Sequence, residues 1–305
     1  MTEWLVVLTA SALALGTPLL FAALGELVSE RAGVLNIGVE GLMLTGAFAG
    51  FLACWATGSP LVGMVAAAGA AMMLGALLAL WVVGLDADQV VAGAALNILA
   101  VGVTGVAYRA VFGVTGAALT VPTFAPIALD GDAWWLAPLR QPAPVWVALA
   151  LVPLVWLVLA RTRLGLELRA VGEAPEAAAS LGIRVAAVRV GALLAAALLA
   201  GIGGGYLSLA YSNTFVEGMS AGRGFIALAI VVFGRWRPLG ILAGALLFGA
   251  ASAAQFHLQA AGITIPYHLL LMLPYVLTLT VLAIATGTTA APAALGRRRS
   301  ECGPP

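Results

Sequence analysis

The hydrophobic pattern divides the chain into nine apolar stretches of membrane length, at about 4–24, 39–57, 61–83, 90–113, 143–160, 185–211, 216–234, 238–258 and 266–286. A hydrocarbon core of about 30 Å takes roughly 20 helical residues to cross, and lipid offers no partner to bare backbone groups. Each stretch is therefore predicted to be a transmembrane helix, and the fold class is all-α, a polytopic membrane protein of about nine spans. Composition agrees, since 63% of the 305 residues are hydrophobic, 9% are charged and the mean hydropathy is +1.09, far from soluble averages.

An odd number of spans puts the termini on opposite sides. Arg297-Arg298-Arg299 assigns the C-terminal tail, 287–305, to the cytoplasm, and the N-terminus is expected outside. Alternate threading then leaves eleven of the fourteen arginines inside, with only Arg109, Arg140 and Arg223 outside or at the outer interface. The longest outer segment, about 114–142, carries Trp134 and Trp135, which suit that interface. No cleavable leader is expected, because Glu3 and no base precede the first apolar run. There is no lysine at all, a bias read as that of a GC-rich bacterial source. The whole chain, 1–305, is read as one membrane domain of a bacterial plasma membrane.

One long polar run breaks this pattern, Arg161 to Arg184. Within it Pro175 suits the first turn of a helix, and Glu173 and Glu176 put negative charge at that helix's positive end. Ala177, Ala178, Ala179, Ser180 and Leu181 continue it, and Gly182 is a left-handed stop. A helix of about two turns has no core of its own, so this one is read as a plug for a soluble partner. The second informative stretch is 25–43, with Glu26, Glu30, Arg31, Asn36 and Glu40 among four glycines. Charges this close to hydrocarbon are costly unless paired or facing water. Glu26 with Glu30, and Asn36 with Glu40, are spaced to share a helix face, and the glycines permit a re-entrant backbone. Asn97 is an amide within an apolar helix. Glu217 and Arg223 both lie near the outer face and are expected to pair. Val216-Glu217-Gly218 echoes Val39-Glu40-Gly41, a hint of duplication with its orientation left open.

What is missing excludes several classes. Without lysine no Walker A loop can be written, so energy must come from another subunit or a gradient. His257 and His268 are eleven apart with no acid between, and read as packing residues. Cys54 and Cys302 have no metal or redox spacing, and Ser208 has no nucleophile-elbow glycines.

Four segments carry a family resemblance. Glu176-Ala177-Ala178 followed by Gly182 resembles the E-A-A-x-x-x-G loop signature of ABC-importer permeases, without the I-x-L-P that often follows it. Glu30-Arg31-Ala32-Gly33-Val34-x-Asn36-Ile37-Gly38-x-Glu40-Gly41, Asp88-Gln89-Val90-Val91-Ala92-Gly93-Ala94-Ala95-Leu96-Asn97 and 213–238 resemble segments of the simple-sugar/nucleoside (branched-chain amino acid/ribose-like) permease family, nucleoside-type branch. They cover about a third of the chain in family order. The resemblance implies an importer with two permeases, expected as a heterodimer, two cytoplasmic ABC ATPases and an external substrate-binding protein. It implies no enzyme activity, no nucleic acid and no cofactor in this chain, ATP and Mg being held by the separate ATPase. On it, Glu173, Pro175, Glu176, Ala177, Ala178 and Gly182 become ATPase-coupling candidates. Glu30, Arg31, Asn36, Glu40, Asn97, Glu217 and Arg223 become pathway or gating candidates. Phe48, Trp55, Asn97, Tyr206 and Phe225 can offer a nucleoside its aromatic and amide contacts. Simple sugars are the alternative cargo, and a gradient-driven carrier the alternative class. The latter tends to hold a mid-span acid, and no Asp or Glu lies in the middle of a predicted span.

Overall fold

The computed structural model describes residues 2–113, 119–127, 134–260, 272, 276, 280 and 291–298. The helices are α1 Thr2–Arg31, α2 Val39–Thr57, α3 Pro60–Ala79, α4 Gln89–Phe112, α5 Ala143–Arg161, α6 Arg163–Glu173, α7 Pro175–Ser180, α8 Val185–Tyr206, α9 Arg223–Phe233 and α10 Pro238–Ala260. Single π-helical turns extend α3 over Leu80–Gly84 and α8 over Leu207–Tyr211, and Trp134–Leu139 is a 3₁₀ segment. Local chemistry sets several ends. Asp88 caps α4, its carboxylate accepting from the Val90 and Val91 N–H groups at 3.0 Å, and Gly58 closes α2 at φ 71°.

Among the described residues seven helices are long and apolar enough to cross a membrane. They match the expected spans closely from 39–57 to 238–258, with two differences. The first helix runs on to Arg31, because Glu26 and Glu30 are buried inside the protein rather than exposed in a loop. The expected span 216–234 is not one helix: residues 212–222 are irregular, and only α9 is helical. At 1.5 Å per residue, its 11 residues reach about 16 Å, half a bilayer. The ninth expected span, 266–286, with His268, and also Cys302 and Arg299, fall outside the described residues.

Small residues let the helices touch backbone to backbone, the mode of packing favoured in lipid. Gly46 of α2 lies on Gly201 of α8, Gly204 of α8 on the Met43 carbonyl of α2, and Gly249 of α10 on Ala12 and Gly16 of α1. These contacts give directions. Gly16 meets Ala245 while Arg31 meets Trp236, so α1 and α10 are antiparallel. Gly75 meets Ala197 while Gly205 meets Ala67, so α3 and α8 are antiparallel. Gly25 meets Ala196 while Gly203 meets Pro18, so α1 and α8 are antiparallel too.

The Val-Glu-Gly echo lies 177 positions apart, and Asn36 with Asn213 and Phe48 with Phe225 keep the same offset. That offset superposes α1 on α8, α2 on 216–234 and α3 on α10. The two most extensive helix pairs, α1 with α10 and α3 with α8, are counterparts under it. Because α1 and α8 run in opposite directions, the two halves are inverted with respect to each other. α5 supplies the extra crossing between them.

The tightest approach predicts a large, local effect. Gly204→Val should overpack against the Met43 carbonyl at a cost of about 1–3 kcal/mol and lower the melting temperature of the detergent-purified protein. Gly69→Ala, on α3 with nothing within 4 Å of its added carbon, should not. Equal melting of the two variants would contradict this packing.

Candidate functional site

Two helix N-termini converge beside α4, at a half-buried point. α2 starts beside α4, where Gly93 touches Ile37 and Gly38. The Asn97 amide closes that start, accepting from the Gly41 N–H at 2.8 Å and donating to the Ile37 carbonyl at 2.9 Å. Asn97 is eight residues into α4, about 12 Å from its end. α9 starts against the same place. The Glu40 carboxylate, on the first turn of α2, accepts from the Gly222 N–H at 2.8 Å and the Gly224 N–H at 2.6 Å. Gly222 is left-handed at φ 80°, and a side chain on Gly224 would collide with the Glu40 backbone. One carboxylate thus lies at the positive ends of two helix dipoles, those of α2 and α9.

Above this point, Glu217 is held by Arg109 in a two-pronged ion pair of 2.9 and 2.7 Å. This corrects the expectation that Glu217 would pair with Arg223. Arg109, twenty residues into α4, reaches the same level as Glu217, whereas the Arg223 Nη1 turns back to the Met219 and Ser220 carbonyls. Beside them lies an aromatic cluster of Phe48, Phe51, Trp55, Tyr108, Phe112 and Phe215, with ring centroids 5.1–6.3 Å apart. It brings together Phe48 and Trp55. Of its other members, Phe215 falls within the 213–238 segment, and Phe51, Tyr108 and Phe112 lie in no polar or glycine-rich motif. Phe225 lies apart, half exposed on α9. Tyr206 is 1% exposed, packed in the core.

α9 ends at a face rich in arginine. There Arg31 donates to the Trp236 carbonyl at 2.7 Å, and the Trp236 indole donates to the buried Glu30 carboxylate. Glu26 accepts from the Asn36 N–H at 2.9 Å. Asn36 is in the turn ahead of α2, so it shares no helix face with Glu40, contrary to the spacing argument. The side-chain amide of Asn36, the second Glu26 oxygen and two nitrogens of buried Arg189 have no hydrogen-bond partner among the described residues.

On that face α7 follows the expected local chemistry. Pro175 is its first residue, and Gly182 is left-handed at φ 82°. The Ile183 N–H bonds back to Ala178 and the Gly182 N–H to Ala179, which satisfies two terminal carbonyls. Ala178 is buried, while Glu176 and Ala177 are exposed and Leu181 is 81% exposed. A groove of about 750 Å³ runs beside this end, between Val28 of α1, Leu168 of α6 and Val188 of α8.

Nothing in the pattern of residues marks the strap that crosses this face. The Ala294 N–H bonds to the Gly172 carbonyl at 2.9 Å and the Gly296 N–H to the Gly33 carbonyl at 3.3 Å. The Ala293 N–H bonds to the Glu173 carboxylate at 3.3 Å, so Glu173 serves the strap as well as the approach to α7. Gln89 donates to the Arg297 carbonyl at 3.1 Å, and Arg298 pairs with Asp88 at 2.9 Å. The Val91 N–H, and then Arg298, hold the Asp88 carboxyl below its usual range. Any stability linked to it is present above the ordinary carboxylate range and lost as pH falls through the lowered value. Among the described residues no His, Cys, Asp and Glu group can hold a metal. His257 meets Ser11 at 3.3 Å and Cys54 is buried.

Removing the shared carboxylate should be felt at once. Glu40→Ala leaves two N–H groups without their acceptor, at about 1–3 kcal/mol, whereas Glu40→Gln keeps one acceptor oxygen and should fall between Ala and wild type. Thermal melting in detergent reads this order, and an alanine variant as stable as wild type would remove the clamp.

Residues 8–282 match the model of a family described as branched-chain amino acid transport system / permease component. The nucleoside ABC transporter permease protein NupC of Lactococcus lactis subsp. cremoris is 36% identical, with 95% of each chain covered. The guanosine ABC transporter permease protein NupQ of Bacillus subtilis is 34% identical, again with 95% of each covered. TsgC13 of Haloferax volcanii, provisionally named a glucose ABC transporter permease protein, is 41% identical over 82% of this chain and 77% of its own. No solved structure matches the chain. Family model and full-length relatives agree, and the chain belongs to this permease family as a membrane component of an ABC transporter.

Proposed function

We propose that the protein is the permease of an importer for nucleosides, receiving substrate from an external binding protein and passing it inward by alternating access. The observation that carries this is likeness over nearly the whole length to NupC and NupQ, named for nucleosides and guanosine. The site fits a neutral, partly aromatic cargo, because its charges are spent on the protein's own groups. Glu40 is used on backbone N–H groups and Glu217 on Arg109. Glucose is the second reading, favoured by the higher identity to TsgC13 over a shorter stretch.

On this reading the arginine-rich face is cytoplasmic, following the positive-inside rule, and the N-terminus is outside. α7 docks on a cytoplasmic ABC ATPase that binds ATP and Mg. Exposed Leu181, beside the groove, is its apolar contact. Pro175, Glu176, Ala177, Ala178 and Gly182 shape and present that helix. A second permease completes the membrane part, expected as a different but similar chain.

Two measurements test this. Gly182→Val places a branched side chain at φ 82°, at a strain of roughly 1 kcal/mol or more. The variant should reach the membrane yet lose most substrate-stimulated ATPase activity and uptake, and undiminished uptake would take α7 out of the coupling. For the cargo, unlabelled adenosine should compete with labelled guanosine for uptake in cells carrying the whole importer, and glucose should not. Competition by glucose alone would replace the nucleoside reading by the sugar one.

A further inference from the structure

The outward surfaces of the membrane helices are not alike. The exposed stripe of α3 is Leu61, Val62, Val65, Gly69, Met73, Ala76 and Leu80, without one polar side chain. That of α5 includes Val147, Leu154, Trp156 and Leu157. Both suit lipid. The seam between α4 and α9, over the start of α2, is different. Asn97, Glu40 and Arg223 are each only half-buried there, and the column continues to Glu217 and Arg109, whose side chains are 40% and 61% exposed. Asn97 and Glu40 sit about 12 Å in from the end of α4, by the rise of a helix. Ionised groups at that depth face a bundle interior or water, because lipid contact is costly. This seam lies on the outside of the single chain, so lipid cannot be what covers it. Small residues flank it on α4: Ala94 is exposed, Gly102 has nothing within 4 Å, and Gly105 has only the Glu217 carboxylate near. They allow another helix to approach closely.

We propose that this α4–α9 seam is one wall of the translocation path and the face against which the second permease subunit sits. The partner is a chain of the same fold, and the water between the two solvates Glu40 and Arg223. The inference rests on the transporter reading above and adds to it the face and the residues. In it Glu40 is a positioning residue: it holds the half-length helix whose side chain Phe225 borders the path. The aromatic cluster lies at the outer end of the same seam, where Tyr108 follows Asn97 and Val101 up α4.

Cysteine labelling in the assembled importer tests the face. In a background of Cys54→Ala and Cys302→Ser, Val101→Cys and Phe225→Cys sample the seam. Val65→Cys and Met73→Cys sample the α3 stripe. All four replace a larger side chain by a smaller one, and co-purification with the ATPase confirms assembly; Ala94→Cys replaces any seam variant that fails to assemble. A permanently charged methanethiosulfonate should modify the seam positions at least roughly 50-fold faster than the stripe, given the penalty for a fixed charge in hydrocarbon. Substrate delivered by the binding protein should slow the seam reaction and leave the stripe unchanged. Seam positions as inert as the stripe, or a reactive stripe with a silent seam, overturn the proposal. Reactive seam positions that no substrate protects overturn the path assignment. Protection by glucose but not guanosine supports the face and rejects only the nucleoside reading.

Discussion

The structure depends on how two side chains settle two helix starts inside a bilayer. Lipid cannot satisfy backbone N–H groups, and each helix start leaves four of them open. Where 216–234 breaks, α9 begins at a depth where neither water nor a neighbouring turn is guaranteed. Glu40 supplies the acceptor, from the first turn of a second helix that also starts there. Its charge lies against both positive dipole ends. The Asn97 amide does the equivalent for α2 by a neutral route. The broken span is therefore an ordered element, with its irregular backbone paid for by named side chains.

From that clamp a continuous set of contacts runs to the arginine-rich face. α9 carries it to Trp236, which bonds Glu30 and Arg31. Gly33, two residues on, meets the strap at Gly296, and the strap meets Gly172 and Glu173, directly ahead of α7. A displacement of α7 is thus mechanically close to the turn between α1 and α2. Contiguity of this kind is the physical precondition for coupling; two discrete states of the contacts are what coupling would add.

The inverted halves explain why the two glutamates of the Val-Glu-Gly echo behave differently yet comparably. Each leaves its own half and binds the other: Glu40 reaches the start of α9, and Glu217 reaches Arg109 on α4. The α1–α10 and α3–α8 pairs, by contrast, meet backbone to backbone at glycines and alanines.

The sequence by itself determined the all-helical membrane class, the edges of most spans, the short helix from Pro175 to its Gly182 stop, and Asn97 as an amide in need of a partner. These follow from local rules: apolar run length, the fixed φ of proline, glycine's access to positive φ, and the cost of a lone amide in an apolar helix. It also flagged Glu40 and Glu217 as charges needing partners. Only the tertiary structure decided which partners those were. Shared nearness to one face placed Glu217 with Arg223, and four-residue spacing placed Asn36 with Glu40, because both arguments see only neighbours along the chain. The actual partners, Arg109 and the N–H groups of Gly222 and Gly224, are more than a hundred residues away and arrive through inverted packing. The break of the seventh apolar stretch was hidden for the same reason, since hydropathy reports transfer to lipid and is blind to where a backbone stops being helical. The strap over Gly172 and Gly33 had no signal at all, because its bonds to those two carbonyls are main-chain bonds that any sequence can make and the side chains that join it, Asp88, Gln89 and Glu173, are more than a hundred residues away.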